Sequence, residues 1–389
     1  MKKILLIAAL LCPHPAPAQP ETPPEAELLG SPYLQNLSTT GVTVMYQTRG
    51  QAHTWVEYGT DTLRLLSGRQ LAGGQEVVHD IEHKVRLDGL HAGHTFYYRV
   101  CTQPIQASHA YSKRFGSVER TPFYRFRLPA EQTDTFTAVV LNDLHMQSRT
   151  IERLSRVAAT IPHDLTIFNG DCLPEPHERK DALRMVHTLV QAFRCAEIPA
   201  VFLRGNHEIR DAYSSGMLSL FDTPTGQTYF ACSYGDTRLV FLDCGEDKPD
   251  STWVYYGLND FDGFRQAQAD FLREETVGRA FRKAKRRLLF HHIPLFFRGD
   301  NDEAGDISTP CRERWLPLLA KAKFDAAFNG HTHRFTWLPT AQLGNPFPVV
   351  IGGGPGPQEA TLLVIRKAGK DLNVEVIDCE GTCLHTYTL

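Results

Sequence analysis

Five short segments of the sequence carry side chains able to bind a metal ion or move a proton. They are Asp143-Leu144-His145, Gly170-Asp171, Gly205-Asn206-His207-Glu208, His291-His292-Ile293-Pro294 and Gly330-His331-Thr332-His333. Carboxylate and imidazole groups suit zinc, manganese or iron. A pair of such ions serves displacement at phosphorus, neutralising charge and lowering the pKa of a water. Singly, each segment says little. With 17 histidines in 389 residues, chance nearly accounts for one H-x-H pair, and aspartates routinely cap turns and helices. Their force is joint, because all five follow strand-like runs and come in one order.

Those runs are the elements that must position the chemistry. Thr135–Leu141, Leu165–Phe168, Ala200–Leu203, 287–290 and 325–328 are short and apolar, and each leads straight into one segment. Helical patterns over 149–160 and 179–195 alternate with the first three, which predicts an α/β layer arrangement. In open α/β sheets, ligands bind beyond the carboxyl ends of the strands. Tyr229–Tyr234 and Arg238–Asp243 read as a hairpin across Gly235-Asp236, and the tail from 347 onward is strand-rich without a helix. Before Pro129 the pattern is different. Val42–Tyr46, Thr54–Tyr58 and Lys84–Leu87 alternate or run β-branched between glycine-containing turns, so residues 31–130 read as one all-β sandwich. Leu90, Gly93 and the pair Tyr97-Tyr98 suggest a sandwich corner in which a tyrosine hydroxyl bonds back to the turn backbone.

Composition is that of an ordinary globular protein, with 42% hydrophobic and 22% charged residues. A formal charge of -3 gives no nucleic-acid-binding signature, although so balanced a total leaves room for a local basic patch. Lys2-Lys3, the apolar run Ile4–Leu11 and Ala16-Pro17-Ala18 describe a signal peptide over 1–18, so the protein is expected to be exported, periplasmic or secreted. A lipoprotein processed at Cys12 is the rival, though Leu11 is bulky for such a site. Residues 19–30 are rich in Pro and Glu and read as a tether. No run reaches the roughly 20 apolar residues of a transmembrane helix. Eight cysteines remain beyond Cys12. Buried thiols are the reading for most, with Cys379 and Cys383 the pair best spaced for a bridge. The absence of G-x-S-x-G and of G-x-x-x-x-G-K argues against serine hydrolases and nucleotide-dependent kinases.

In their order, D-x-H, G-D, G-N-H-E, H-x-P and G-H-x-H resemble the calcineurin-like metallophosphoesterase superfamily over residues 134–389. Ser31-Pro32-Tyr33-Leu34-Gln35-Asn36 and Val56-Glu57-Tyr58-Gly59 resemble the fibronectin-like N-terminal domain of purple acid phosphatases. The resemblance implies a two-domain protein: a β-sandwich followed by an α/β four-layer (αββα) catalytic domain. It implies two divalent or trivalent metal ions (iron, zinc or manganese). One takes Asp143, His145, Asp171 and His333; the other takes Asp171, Asn206, His292 and His331, with Asp171 bridging. It further implies hydrolysis of phosphate monoesters by a metal-activated water, with His207 protonating the leaving oxygen. A phosphodiesterase or nucleotidase at the same site is the alternative. A non-catalytic binding module is remote, because a dead site would be expected to lose ligands and all seven stand intact.

Motif phasing favours His292 over His291 as the ligand. Arg210 and Arg298 are candidates for phosphate contact or plain surface arginines. Two segments, Thr252–Gly257 with Trp253 and Tyr255, and Phe296–Asp302, form either a substrate rim or a packing surface against the sandwich. The substrate is thus a phosphorylated small molecule or macromolecule of unassigned type. One departure is informative. Purple acid phosphatases draw their colour from a tyrosine three residues after the bridging aspartate and lack the D-x-H histidine. This chain has Pro174 at that place and retains His145, so no tyrosinate-to-iron absorption band is expected.

Overall fold

The computed structural model describes residues 26–297 and 309–389. The leader, Cys12, tether residues 19–25 and Arg298 lie outside them. No helix among the described residues is long and apolar enough to cross a membrane.

A β-rich N-terminal unit precedes an α/β unit. In the first, the sheet Tyr33–Ser38, Gly41–Gln47, Glu82–Leu87 faces a second sheet built around the long strand Thr95–His109. Alternating residues of both sheets, among them Leu34, Val42, Val44, Val56, Val85, Tyr98 and Val100, fill the space between them. Residues 26–30, the end of the expected tether, lie along this sandwich through Leu29 N–H to Gln47 O (2.9 Å) and Arg49 N–H to Glu27 O (2.9 Å).

The α/β unit has two six-stranded sheets. One runs in the order Ala200–Leu203, Leu165–Asn169, Thr135–Leu141, Thr361–Ala368, Asp371–Asp378, Cys383–Thr388. The other runs Phe230–Tyr234, Thr237–Phe241, Arg286–Phe290, Ala326–Asn329, Val349–Ile351, Thr336–Leu338. The period of two along each strand builds three cores from these sheets. Phe136, Ala138 and Val140 meet Leu239, Phe241, Leu288 and Phe290 between the sheets. Val139 and Leu141 face the helices Ser148–Ala159 and Arg179–Ala192. Val240 and Leu289 face Phe261–Val277 and Thr309–Ala322 on the far side. Helix, sheet, sheet, helix are therefore the four layers. The central pairings Thr135–Leu141 with Leu165–Asn169, and Arg286–Phe290 with Ala326–Asn329, are parallel, so their carboxyl ends open on the same edge.

Two expectations are corrected. The Tyr98 hydroxyl does not bond back to its own turn; it donates to Ala196 O in the α/β unit (2.7 Å). Tyr33 does likewise to Leu220 O (2.7 Å), and Arg179 pairs with Asp80 and Glu82 of the sandwich. The tyrosines thus join the two units rather than closing a corner. Cys379 and Cys383 are both free thiols. Cys379 packs into the helix-side core while Cys383 is exposed on the edge strand, where it pairs across from Ile377, so the two point to different environments.

Candidate metal centre

The five strand-end segments converge. Asp143 N–H donates to Gly170 O (3.1 Å) and His145 N–H to Asp171 O (2.9 Å), so the first two loops are laced together. His331 N–H reaches the Asp143 carboxylate (2.9 Å) and His207 N–H reaches Asp171 Oδ1 (2.9 Å), drawing in the third and fifth. His292 Nδ1 donates to Asn169 O (3.0 Å), which leaves Nε2 facing inward. That nitrogen lies 3.1 Å from Asp171 Oδ2 and 3.6 Å from Asp143 Oδ1. His145 Nε2 and His333 Nε2 are 3.2 Å apart, and His333 Nε2 is 3.6 Å from Asp143 Oδ1. His331 Nδ1 and Asn206 Oδ1 are 2.9 Å apart. His291 turns the other way, its Nδ1 bonded to Ile293 O (2.8 Å) and its ring against Trp315.

The backbone is bent to achieve this. Asp143, His145, Asp171, His331 and His333 all have left-handed backbone, with φ of 49°, 41°, 51°, 74° and 56°. Each costs on the order of 1 kcal/mol for a residue with a side chain, and such strain gathers at functional sites. Glycines supply the room. A Cβ on Gly205 would sit 2.2 Å from Asp171 Oδ1, and one on Gly170 2.4 Å from the His292 ring.

Burial is the leading influence on the titrating groups. It holds His145 down at about 4 and His331 at about 3, and lowers His333 as well. These imidazoles are therefore neutral, the form that ligates a cation. For His292 burial also pulls down, but Asp171 and then Asp143 outweigh it and lift the group to about 10. Burial pushes Asp171 up, and the opposing charge of His292 holds it below the ordinary carboxylate range. Asp143 is raised by burial to about 7. The protein thus gathers two buried carboxylates with one internal cation between them. His292 Nε2 is buried without hydrogen-bond geometry to any partner. Three sets of ligand atoms lie close enough to share an ion: Asp143/His145/His333, Asp171/His292/His331 and His145/Asp171/His207. Neutral imidazoles, carboxylates and an inward-facing imidazole nitrogen fit transition-metal ions.

Beside this centre stands a second layer, of which the sequence reading found only part. His207 Nε2 is 3.9 Å from Asp171 Oδ2, and its Nδ1 is 2.5 Å from Glu175 Oε1. Arg210 Nη1 is 3.3 Å from His207 Nε2, and its guanidinium is gripped by buried Glu246 (3.0 and 2.8 Å). Glu208 is buried and accepts four backbone N–H groups, from Asp171, Cys172, Leu173 and Gly205, at 2.7–2.9 Å. Glu175, Glu208 and Glu246 were not singled out; only Glu208 carried a signal, as the last letter of G-N-H-E. Tyr255 is raised by burial and by Glu246, which places it next to the Arg210 clamp. Trp253 is 76% exposed and meets Tyr256 edge-on, so this turn does not pack against the sandwich.

The sequence model of the calcineurin-like phosphoesterase family matches residues 136–335, slightly more than half of the chain. Among curated proteins, the serine/threonine-protein phosphatase CPPED1 of Rattus norvegicus is 23% identical over 164 residues, covering 42% of this chain and 50% of that protein. Its Homo sapiens counterpart is 26% identical over 140 residues, covering 35% and 42%. The chain therefore spans about half the length of the curated relatives it matches. Among solved structures, purple acid phosphatase PPD1 from yellow lupin (Lupinus luteus) seeds aligns with a TM-score of 0.68 at 16% identity, covering 92% of this chain and 73% of that one. A structure of PhoD aligns at 0.60 and 12% identity, covering 96% and 90%. Both share the fold.

Proposed function

The chain belongs to the calcineurin-like phosphoesterase family, and on that premise we propose that it is a metal-dependent hydrolase of phosphate monoesters. The observation that carries the reading is the convergence of Asp143, His145, Asp171, Asn206, His292, His331 and His333 from five strand ends. Asp143, His145, Asp171 and His333 would hold one ion, and Asp171, Asn206, His292 and His331 the other, with Asp171 shared. Iron, zinc and manganese all suit this donor set. Such ions supply a water that is nucleophilic near neutral pH and a positive field for the phosphoryl oxygens. The neutral amide of Asn206 adds no negative charge, so the site keeps its attraction for an anionic ester.

The remaining work belongs to the chain's own side chains. Glu175 accepts from His207 Nδ1, which fixes the ring and leaves Nε2 to hand a proton to the departing oxygen. Arg210, oriented by the two-toothed grip of Glu246, presents Nη1 beside that same nitrogen as a donor for a phosphoryl oxygen. Glu208 ties the loop of Asp171 to that of Asn206, so the two candidate ligands keep their spacing. The leader residues Lys2, Lys3 and Ile4–Leu11 support export of the enzyme.

The test is hydrolysis of aryl phosphate mono- and diesters by the full chain with added manganese, zinc or iron. The monoester should be the better substrate. Activity that survives both Asp171→Asn and Asn206→Ala would defeat the proposed site, and a faster diester would reassign the enzyme as a diesterase.

A further inference from the structure

The near-neutral total charge conceals a strongly basic stretch. Residues 279–287, Arg-Ala-Phe-Arg-Lys-Ala-Lys-Arg-Arg, hold six cations in nine positions. Part of that charge is spent internally: Arg286 pairs with Asp325 (2.6 Å) and Lys285 with Asp236 (3.1 Å). Of the other four, Arg282 and Arg287 line a cleft of about 680 Å³ between the helices Phe261–Val277, Arg279–Lys283 and Thr309–Ala322. Five cations line it, Arg273, Arg282, Arg287, Lys321 and Lys323, and no carboxylate does among the described residues. Arg273 has Asp270 as a neighbour on its own helix. The other four form no ion pair among the described residues.

Arg287 gives the cleft a fixed point. Its guanidinium lies over the Phe281 ring, 5.1 Å from the centroid, with Nε donating to Phe281 O (3.0 Å) and Nη2 to Arg282 O (3.4 Å). A half-buried guanidinium held only by carbonyls and a ring face keeps its full charge and has its fork already oriented. Four uncompensated cations around one concavity repel one another, and a low-dielectric wall focuses their field. A single monovalent anion relieves little of that repulsion; a ligand with several closely spaced charges relieves most of it.

The cleft is separate from the metal centre. Arg287 is the second residue of the strand Arg286–Phe290 and His292 lies just past its other end, five residues or roughly 17 Å away along an extended chain. We propose that this cleft is a second binding site, for a ligand carrying several phosphate groups in close succession. It does not depend on the reading of the metal centre, and a soluble oligophosphate and a cluster of anionic lipid headgroups share the required chemistry.

The experiment measures binding of inorganic tripolyphosphate to the full chain by titration calorimetry. The variant is Arg282→Glu/Lys321→Glu/Lys323→Glu, compared with a charge-preserving control, Arg282→Lys/Lys321→Arg/Lys323→Arg. The reversal variant should bind at least tenfold more weakly, the control as wild type, and both should hydrolyse aryl phosphate like wild type. Raising the salt from about 20 to about 200 mM should weaken wild-type binding. A parallel arm sediments the proteins with phosphatidylcholine vesicles with and without phosphatidylglycerol. Vesicle binding that tripolyphosphate displaces supports the site and names lipid headgroups as a source. Equal tripolyphosphate affinity in wild type and reversal variant, no binding by either, or vesicle binding that tripolyphosphate does not displace would each overturn it.

Discussion

Replacing Glu208 should destabilise the loops that carry Asp171 and Asn206, because four backbone donors depend on one carboxylate. Oε1 accepts from Cys172 and Leu173, and Oε2 from Asp171 and Gly205. Each buried N–H left without a partner costs about 1–3 kcal/mol. Glu208→Ala leaves all four, but opens space for water, which partly repairs them, so the low end applies and the loss is about 4 kcal/mol. Glu208→Gln keeps the shape and one acceptor oxygen. Its amide then faces either the Asp171/Gly205 pair or the Cys172/Leu173 pair, losing two bonds and setting donor against donor, at about 2–4 kcal/mol. Against the 5–15 kcal/mol that holds a typical domain folded, either figure is large. Urea unfolding at neutral pH reads the change from the midpoint shift at constant slope. A Glu208→Ala protein within 1 kcal/mol of wild type, or one more stable than Glu208→Gln, would refute the reasoning.

Other expectations follow from individual contacts. Removing His207 by alanine substitution should slow an alkyl phosphate far more than a nitrophenyl phosphate, since only the poor leaving group needs the proton; equal losses on both would leave His207 a binding residue. For Gly205→Ala, a Cβ 2.2 Å from Asp171 Oδ1 and 2.6 Å from the His292 ring forces the ligands apart, so bound metal should fall while the circular dichroism spectrum is retained. Wild-type metal content in that variant would contradict the packing. In the sandwich, burial holds His83 at about 4, with its ring nitrogens against Thr48 and Thr54. The unfolded chain takes up that proton at higher pH, so His83 leaves stability intact above pH 6.5 and costs up to about 3 kcal/mol as pH falls toward 4. Calorimetric stability of His83→Gln should accordingly decline less between neutral and acid pH than that of wild type; parallel declines would exclude His83 as the cause.

The strand-end chemistry was legible because each apolar run stops where its motif starts, and a parallel sheet then brings those ends to one edge. Motif phasing points to His292 rather than His291; in the structure Nδ1 of His292 donates to Asn169 O while the His291 ring lies against Trp315. What the sequence could not reveal are partners set by folding. Glu208 receives donors some 35 residues upstream, and Arg210 finds Glu246 36 residues downstream. No local pattern marks either pairing. Tyr98 looked like a corner residue because its turn has the right composition, yet Ala196 O, 98 residues away, takes its hydroxyl. The proximity of Cys379 and Cys383 in sequence misled in the same way, since one turns into the core and the other to solvent.

The account rests on one set of seven side chains holding two metal ions. Metal content per chain, measured by plasma mass spectrometry on wild type and Asp171→Asn after loading with manganese, zinc or iron and removal of excess ion, tests it most directly. The expected result is about two ions in wild type and no more than one in the variant, because on the proposed reading Asp171 would serve both positions. Two ions retained by Asp171→Asn, or none bound by wild type under any loading, would contradict it.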